Sequence, residues 1–204
     1  MIIDQFRDFS ARVIQNLPDM DSRQMQAFID NPKRLKKVLL EAFCPVVRIG
    51  KITTNNRSVK KCIADLKQRD FYISEFVGDM LQNKKFVVTN GITYELVLIK
   101  GDEFTDRTRT PRNIRKLASA HGLLAPPVGL GPYLREMFSG EDLKKMGFLE
   151  LVLMHEPVTF SSGIFGGLYH VFDVSGDHEL KTCDCRLDVE LDCKIGFVFW
   201  DPAK

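Results

Sequence analysis

KFVVTNGITYELVLIK, residues 85–100, decides how the rest of the chain is read. Two runs rich in β-branched and aromatic residues flank Asn90-Gly91, a pair that tolerates positive φ and favours a two-residue hairpin turn. The stretch predicts a β-hairpin. Before it and just after it, apolar residues recur every three or four positions; towards the C-terminus they alternate or run together. Helices around a hairpin, followed by strands in succession, predict an α+β protein rather than a doubly wound sheet.

Upstream, IIDQFRDFSARVIQNL spaces Phe6, Phe9, Val13 and Leu17 as one helical stripe that Pro18 stops. DMDSRQMQAFIDN offers Asp21 or Ser22 as a helix cap, and NPKRLKKVLLEAF places Asn31 and Pro32 at the cap and first turn of another. These three short helices form an expected N-terminal layer. VVRIGKITT reads as a strand, SVKKCIADLKQRDF as a helix capped by Ser58 with Cys62 inward, and SEFVGDMLQN as a helix capped by Ser74. Beyond the hairpin, TPRNIRKLASAHG has Thr110 as cap, Pro111 at the first helical position and Gly122 past the end. A short YLREMF helix follows LLAPPVGLGP.

GFLELVLMHEPVTF, GLYHVFDV, ELKTCDCRLDVEL and KIGFVFW then read as strands with turns between them, predicting a C-terminal antiparallel sheet of about four strands. The expected division is an N-terminal helical segment, 1–45, and an α+β domain, 46–204. That domain is basic over 46–145 and acidic and β-rich over 146–204. Residues 1–145 carry 25 Lys and Arg against 17 Asp and Glu, while 146–204 carry 4 against 10. Attraction between the two parts within one chain accounts for this asymmetry, since net charge bears on contacts rather than fold.

The chain has 204 residues, 44% hydrophobic and 27% charged, with a net charge of +2, as expected of a globular protein with a substantial core. Its charged N-terminus has no apolar signal core, and no apolar run is long enough to span a bilayer. Five cysteines, an odd number, do not suggest a disulfide framework. A cytoplasmic location without membrane contact is the expectation. So is the absence of a cofactor: PVVRIGKI has Pro45 and Ile52 where a phosphate loop needs Gly and Ser or Thr. GLGPYL lacks the third glycine of a dinucleotide fingerprint, and His155-Glu156 is followed by Pro157 with no second histidine.

The succession IADLKQRDFYISEFVGDML, TYELVLIKGDEF, IRKLASAHGLLAPPVGLGPYLREMF and LELVLMHEPV resembles a family of uncharacterised bacterial hypothetical proteins over most of the chain. The resemblance implies a bacterial, cytosolic, stand-alone protein and assigns no activity to any residue.

Cys183, Cys185 and Cys193, with His178 upstream, invite a metal or redox reading. Periodicity favours a plainer one. Cys183, Cys185, Leu187, Val189, Leu191 and Cys193 occupy alternate positions with polar residues between, the pattern of a half-buried strand whose cysteines are core residues. Cys183 and Cys185 on one strand lie about 7 Å apart, too far for a disulfide. A zinc site with His178 and redox chemistry are the alternatives, and no metal is expected. Asp173, Asp177 and Glu179 around DVSGDHE read as turn chemistry rather than a cation loop.

Two segments stand out as functional candidates. DRTRTPRNIRK sets Arg107, Arg109, Arg112, Arg115 and Lys116 close together, with Arg112, Arg115 and Lys116 on one helical face that can meet phosphates. Pairing with the acidic C-terminal strands is the structural alternative. In FSSGIFGGLYH, Ile164 and Phe165 sit between glycines, either folded over the sheet or offered to a protein partner or a second copy. The first functional expectation is a binding or regulatory protein acting through protein contacts. Nucleic-acid binding through 107–116 is the second, and an enzyme using His155 or His170 the third.

Overall fold

The apolar run after Asn90-Gly91 does form a long strand, but its hairpin partner is not the run before it. The computed structural model describes residues 21–33, 46–87, 89–159 and 169–203. They divide into two compact units, Met1–Cys44 and Pro45–Lys204. In the first, helix α1 (Ser22–Asp30) opens with a capping box: the Asp21 carboxylate accepts from the Arg23 and Gln24 amides, and the Gln24 side chain accepts from the Asp21 amide. The helices expected over 2–17 and 31–43 lie largely outside the described residues.

The second unit is an α+β fold built on one mixed sheet. Strands β1 (Val46–Asn55) and β3 (Asn90–Lys100) pair antiparallel from Val46↔Ile99 to Asn55↔Asn90. Between them run helix α2 (Val59–Gln68), the two-residue strand β2 (Tyr72–Ile73) and helix α3 (Glu75–Gln82). The expected hairpin is thus replaced by a longer loop-back. Gly91 does take positive φ, at 67°, but among the described residues just before Asn90 there is no strand. The ladder with β1 runs along β3 from Asn90 to Ile99.

Helix α4 (Pro111–Ala120) starts as expected, with the Thr110 hydroxyl accepting from the Asn113 amide, and Gly122 beyond its end has φ 73°. Ser58 caps α2 through the Lys61 amide. Ser74 stands at the cap of α3 without a side-chain cap bond. Helices α5 (Gly131–Met137) and α6 (Gly140–Met146) lead into β4 (Glu150–Leu153), β5 (Val158–Thr159), β6 (Tyr169–Ser175), β7 (Glu179–Asp184) and β8 (Ile195–Trp200).

The sheet order is β1-β3-β8-β4-β6-β7-β2, with β5 paired to β6. This corrects the antiparallel four-strand arrangement. β4 and β8 are parallel, as are β2 and β7. β8, the last strand in sequence, returns to the middle because Ile195–Phe199 are all buried, and a strand buried on both faces needs neighbours on both edges. β7 stops at Asp184, where its ladder with β6 ends at His170↔Asp184. The alternation continues to Cys193, but among the described residues no strand pairs with it there. Instead the Arg112 amide donates to the Leu187 carbonyl and the Leu191 amide to the Arg109 carbonyl.

Two cores flank the sheet. On its first face Leu96, Leu98, Leu151, Phe172, Val174 and Val198 pack with Leu66, Met80, Leu134 and Leu143 from α2, α3, α5 and α6. On the second, Val97, Ile99, Val152, Val171, Phe197 and Phe199 pack with Ile114 and Ala118 of α4. Among the described residues no helix is long and apolar enough to cross a membrane.

Candidate functional site

Geometry divides the expected basic patch, turning Arg109 and Arg115 to backbone carbonyls and leaving three of its five residues exposed. Arg109 is buried: its guanidinium donates to the Gly101 carbonyl at 2.7 Å, to Leu191 at 3.1 Å, to Phe104 at 2.9 Å and to Asp106 Oδ1 at 3.1 Å. It ties the segment after β3 to the segment before β8. Arg115 donates to the carbonyls of Met154 and His155 at 3.0 and 2.7 Å. Arg112 makes a two-pronged exposed pair with Asp188, at 2.9 and 3.1 Å, and this holds its pKa above the ordinary value. Arg107 and Lys116 are exposed.

His155 is fully buried. The Phe172 amide donates to its Nε2 at 3.0 Å, so Nδ1 carries the proton and faces the Glu156 carbonyl at 2.8 Å. Burial, reinforced by the charges of Arg115 and Lys85, pulls its pKa down to about 4 against the Glu156 bond. Both ring nitrogens are engaged with backbone, which leaves neither for a substrate. His170 lies in β6, register partner of Asp184 and Val158.

Cys183 and Cys185 both pack on the second core, one half-buried and the other buried, as expected of core residues; Cys193 is exposed, which corrects the expectation for that residue. The reason is the early end of β7. Burial pushes the Cys183 and Cys185 thiols up, away from reactive thiolate. His178 sits in the β6–β7 turn at φ 58° and stacks on Phe71. Among the described residues no group of three or more His, Cys, Asp or Glu is placed to hold a metal ion.

Asp173, expected to belong to a turn, lies inside β6 and is buried. Lys181 of β7 bonds the Glu150 carboxylate of β4 and reaches Asp173 Oδ2 at 3.6 Å. Burial and the Glu150 charge nevertheless hold the Asp173 carboxyl well above the usual range, and we take burial to outweigh the lysine because Oδ1 has no partner. An Asp within the apolar run VFDV was the available signal. Arg135 of α5 is likewise buried, donating to the carbonyls of Ser175, Glu179 and Phe138 with its guanidinium over the Phe71 ring. Burial pulls it down to about 10, so it stays charged at neutral pH.

Strand β1 stands at one end of the sheet order. The opposite end is closed by the two-residue β2. β1 has ten residues, and among the described residues only β3 pairs with it. Ile49 is the extra residue of a bulge between Arg48↔Val97 and Gly50↔Leu96, and Gly50 takes φ 140°, a value that favours glycine. Val47, Arg48, Lys51, Thr53 and Asn55 are exposed. Ile164 and Phe165, the expected partner-contact pair, lie outside the described residues.

No family model matches the chain, and neither the curated proteins nor the solved structures contain a match to it.

Proposed function

We propose that the chain is a protein-binding module whose partner adds an extended segment to the outer edge of β1. The ten-residue length of that edge strand, set against the two-residue β2 at the other end, carries this reading. A long edge presents a row of backbone donors and acceptors to solvent, the template used when a peptide joins a sheet. The bulge at Ile49 and the charges of Arg48 and Lys51 fit an edge guarded against indiscriminate pairing. Hydrogen exchange on the whole chain tests it. In the free protein, amides of 46–55 directed at β3 exchange slowly and those directed outward quickly. A capped ten-residue peptide alternating Val and Ser slows the fast set. Uniformly slow exchange in the free chain would mean that the edge is already covered and would overturn the proposal.

Nucleic-acid binding through 107–116 is a second reading, supported by the exposure of Arg107, Arg112 and Lys116. The engagement of Arg109 and Arg115 with backbone carbonyls ranks it below the first.

A further inference from the structure

Resting on the reading of β1 as a docking edge, we infer that the segment it accepts alternates acidic and apolar residues. The two faces of β1 differ in chemistry. On one, Lys51 stands opposite Glu95, Arg48 opposite Val97 and Thr53 opposite Thr93. Arg48 and Lys51 approach the single Glu95 carboxylate at 3.4 and 3.3 Å, so two cations share one anion. Their side chains remain 59% and 64% exposed while that of Glu95 is 8% exposed. A net positive charge is left at the rim. On the other face, Val47 lies opposite Leu98 and is 39% exposed, Ile49 packs against the first core, and Ile52 is buried there.

An added strand sets its side chains about 4.5–5.5 Å from those of the strand it joins, and successive residues point to opposite faces. One face of the newcomer therefore meets Arg48, Lys51 and Thr53, and the other meets Val47, Ile49 and Ile52. Carboxylates on the first face neutralise the excess charge. Apolar residues on the second extend the core over Val47. A strand with lysines in the acidic positions places like charges opposite each other and is rejected. A second copy of β1, paired antiparallel in the same sheet, would bring its own Arg48 and Lys51 onto the face that already carries two cations. The fitting occupant is thus an acidic, extended segment of another protein.

The test compares three capped ten-residue peptides, alternating Val with Glu, Ser or Lys, by their protection of the fast-exchanging amides of 46–55 in the whole chain. The inference expects Val/Glu to protect at the lowest concentration, Val/Ser next and Val/Lys least, with the Val/Glu advantage shrinking in salt. Equal protection by all three would overturn the charge rule and leave the docking edge standing. Protection by none would overturn both. Arg48→Gln leaves Lys51 to neutralise Glu95; it should weaken Val/Glu binding by about 2- to 5-fold, the scale of one cross-strand charge pair, without changing the thermal melt. A variant that binds Val/Glu as well as the native chain would overturn the charge rule.

Discussion

The two faces of the sheet are finished differently. Among the described residues, 22 buried apolar residues form the first core and 12 the second. Four helices cover the first face, and among the described residues the helix contacts to the second come from α4 alone. The second face takes the rest of its cover from irregular chain, with Phe104 and Leu191 packed against it and Arg109 clamping the two segments that carry them. The lesson is that several helices bury the first side around one buried cation, Arg135, whereas the second takes more of its cover from irregular chain tied down by buried Arg109. The first should set how stable the protein is, and the second how that stability responds to its surroundings.

The largest expected effect would sharpen this contrast by removing the cation that serves the first side. Arg135 satisfies the Ser175 and Glu179 carbonyls at the end of the β6–β7 hairpin and the Phe138 carbonyl after α5. Arg135→Ala leaves them unpartnered and opens a cavity, and should cost about 3 kcal/mol or more in denaturant unfolding. A loss near that of an exposed substitution would show that this hairpin end is held by something else.

The next effect is an acid dependence from His155. In the unfolded chain its pKa is near 6.5, and in the folded protein about 4. Between those values the unfolded state binds the proton and the folded state does not, so stability falls as pH falls through that window. The full loss is about 3 kcal/mol. His155→Gln should remove that part of the slope when unfolding is followed from pH 7 to 4. An unchanged slope would mean that another group carries the acid sensitivity.

Asp173 has the opposite sign. Its folded pKa is raised, so its contribution is complete below the unfolded carboxylate range and is lost as pH rises through the folded value. Asp173→Asn should therefore gain stability relative to the native chain as pH increases. A variant losing ground towards high pH would mean that Asp173 is ionised and held by Lys181.

How much of this was legible in the sequence follows from the range of the physics involved. Caps are local, so Ser58, Thr110 and Pro111 could be placed from a few neighbouring residues. Strand pairing is not. Asn90-Gly91 advertised a short hairpin, but the ladder formed with β1 across two intervening helices. The alternation through Cys193 was equally misleading, because a strand needs a partner and among the described residues β7 has none past Asp184. KIGFVFW, apolar at consecutive positions, did hold the clue to its central place. At the candidate edge, Arg48, Gly50 and Lys51 are edge-strand signals, but nothing in VVRIGKITT says which strand lies beside it.

The smallest expected effect concerns the contact between α4 and the chain before β8. Arg112 and Asp188 hold each other in two parallel bonds, raising one pKa and lowering the other, yet both side chains are largely exposed. Water and salt screen such a pair, and its geometry holds two mobile side chains in place. The segment is fixed independently by the Arg112 amide on the Leu187 carbonyl and by the buried Arg109 clamp. Asp188→Ala should therefore leave the thermal midpoint within the scatter of repeated melts. It would also free Arg112, adding a cation beside exposed Arg107 and Lys116. If the 107–116 segment binds nucleic acid, the variant should hold mixed-sequence RNA or DNA more tightly at low salt, with a steeper salt dependence. No binding before or after the change would remove the nucleic-acid reading. A clear fall in the midpoint would instead show that this exposed pair, and not the buried arginine, secures the second face.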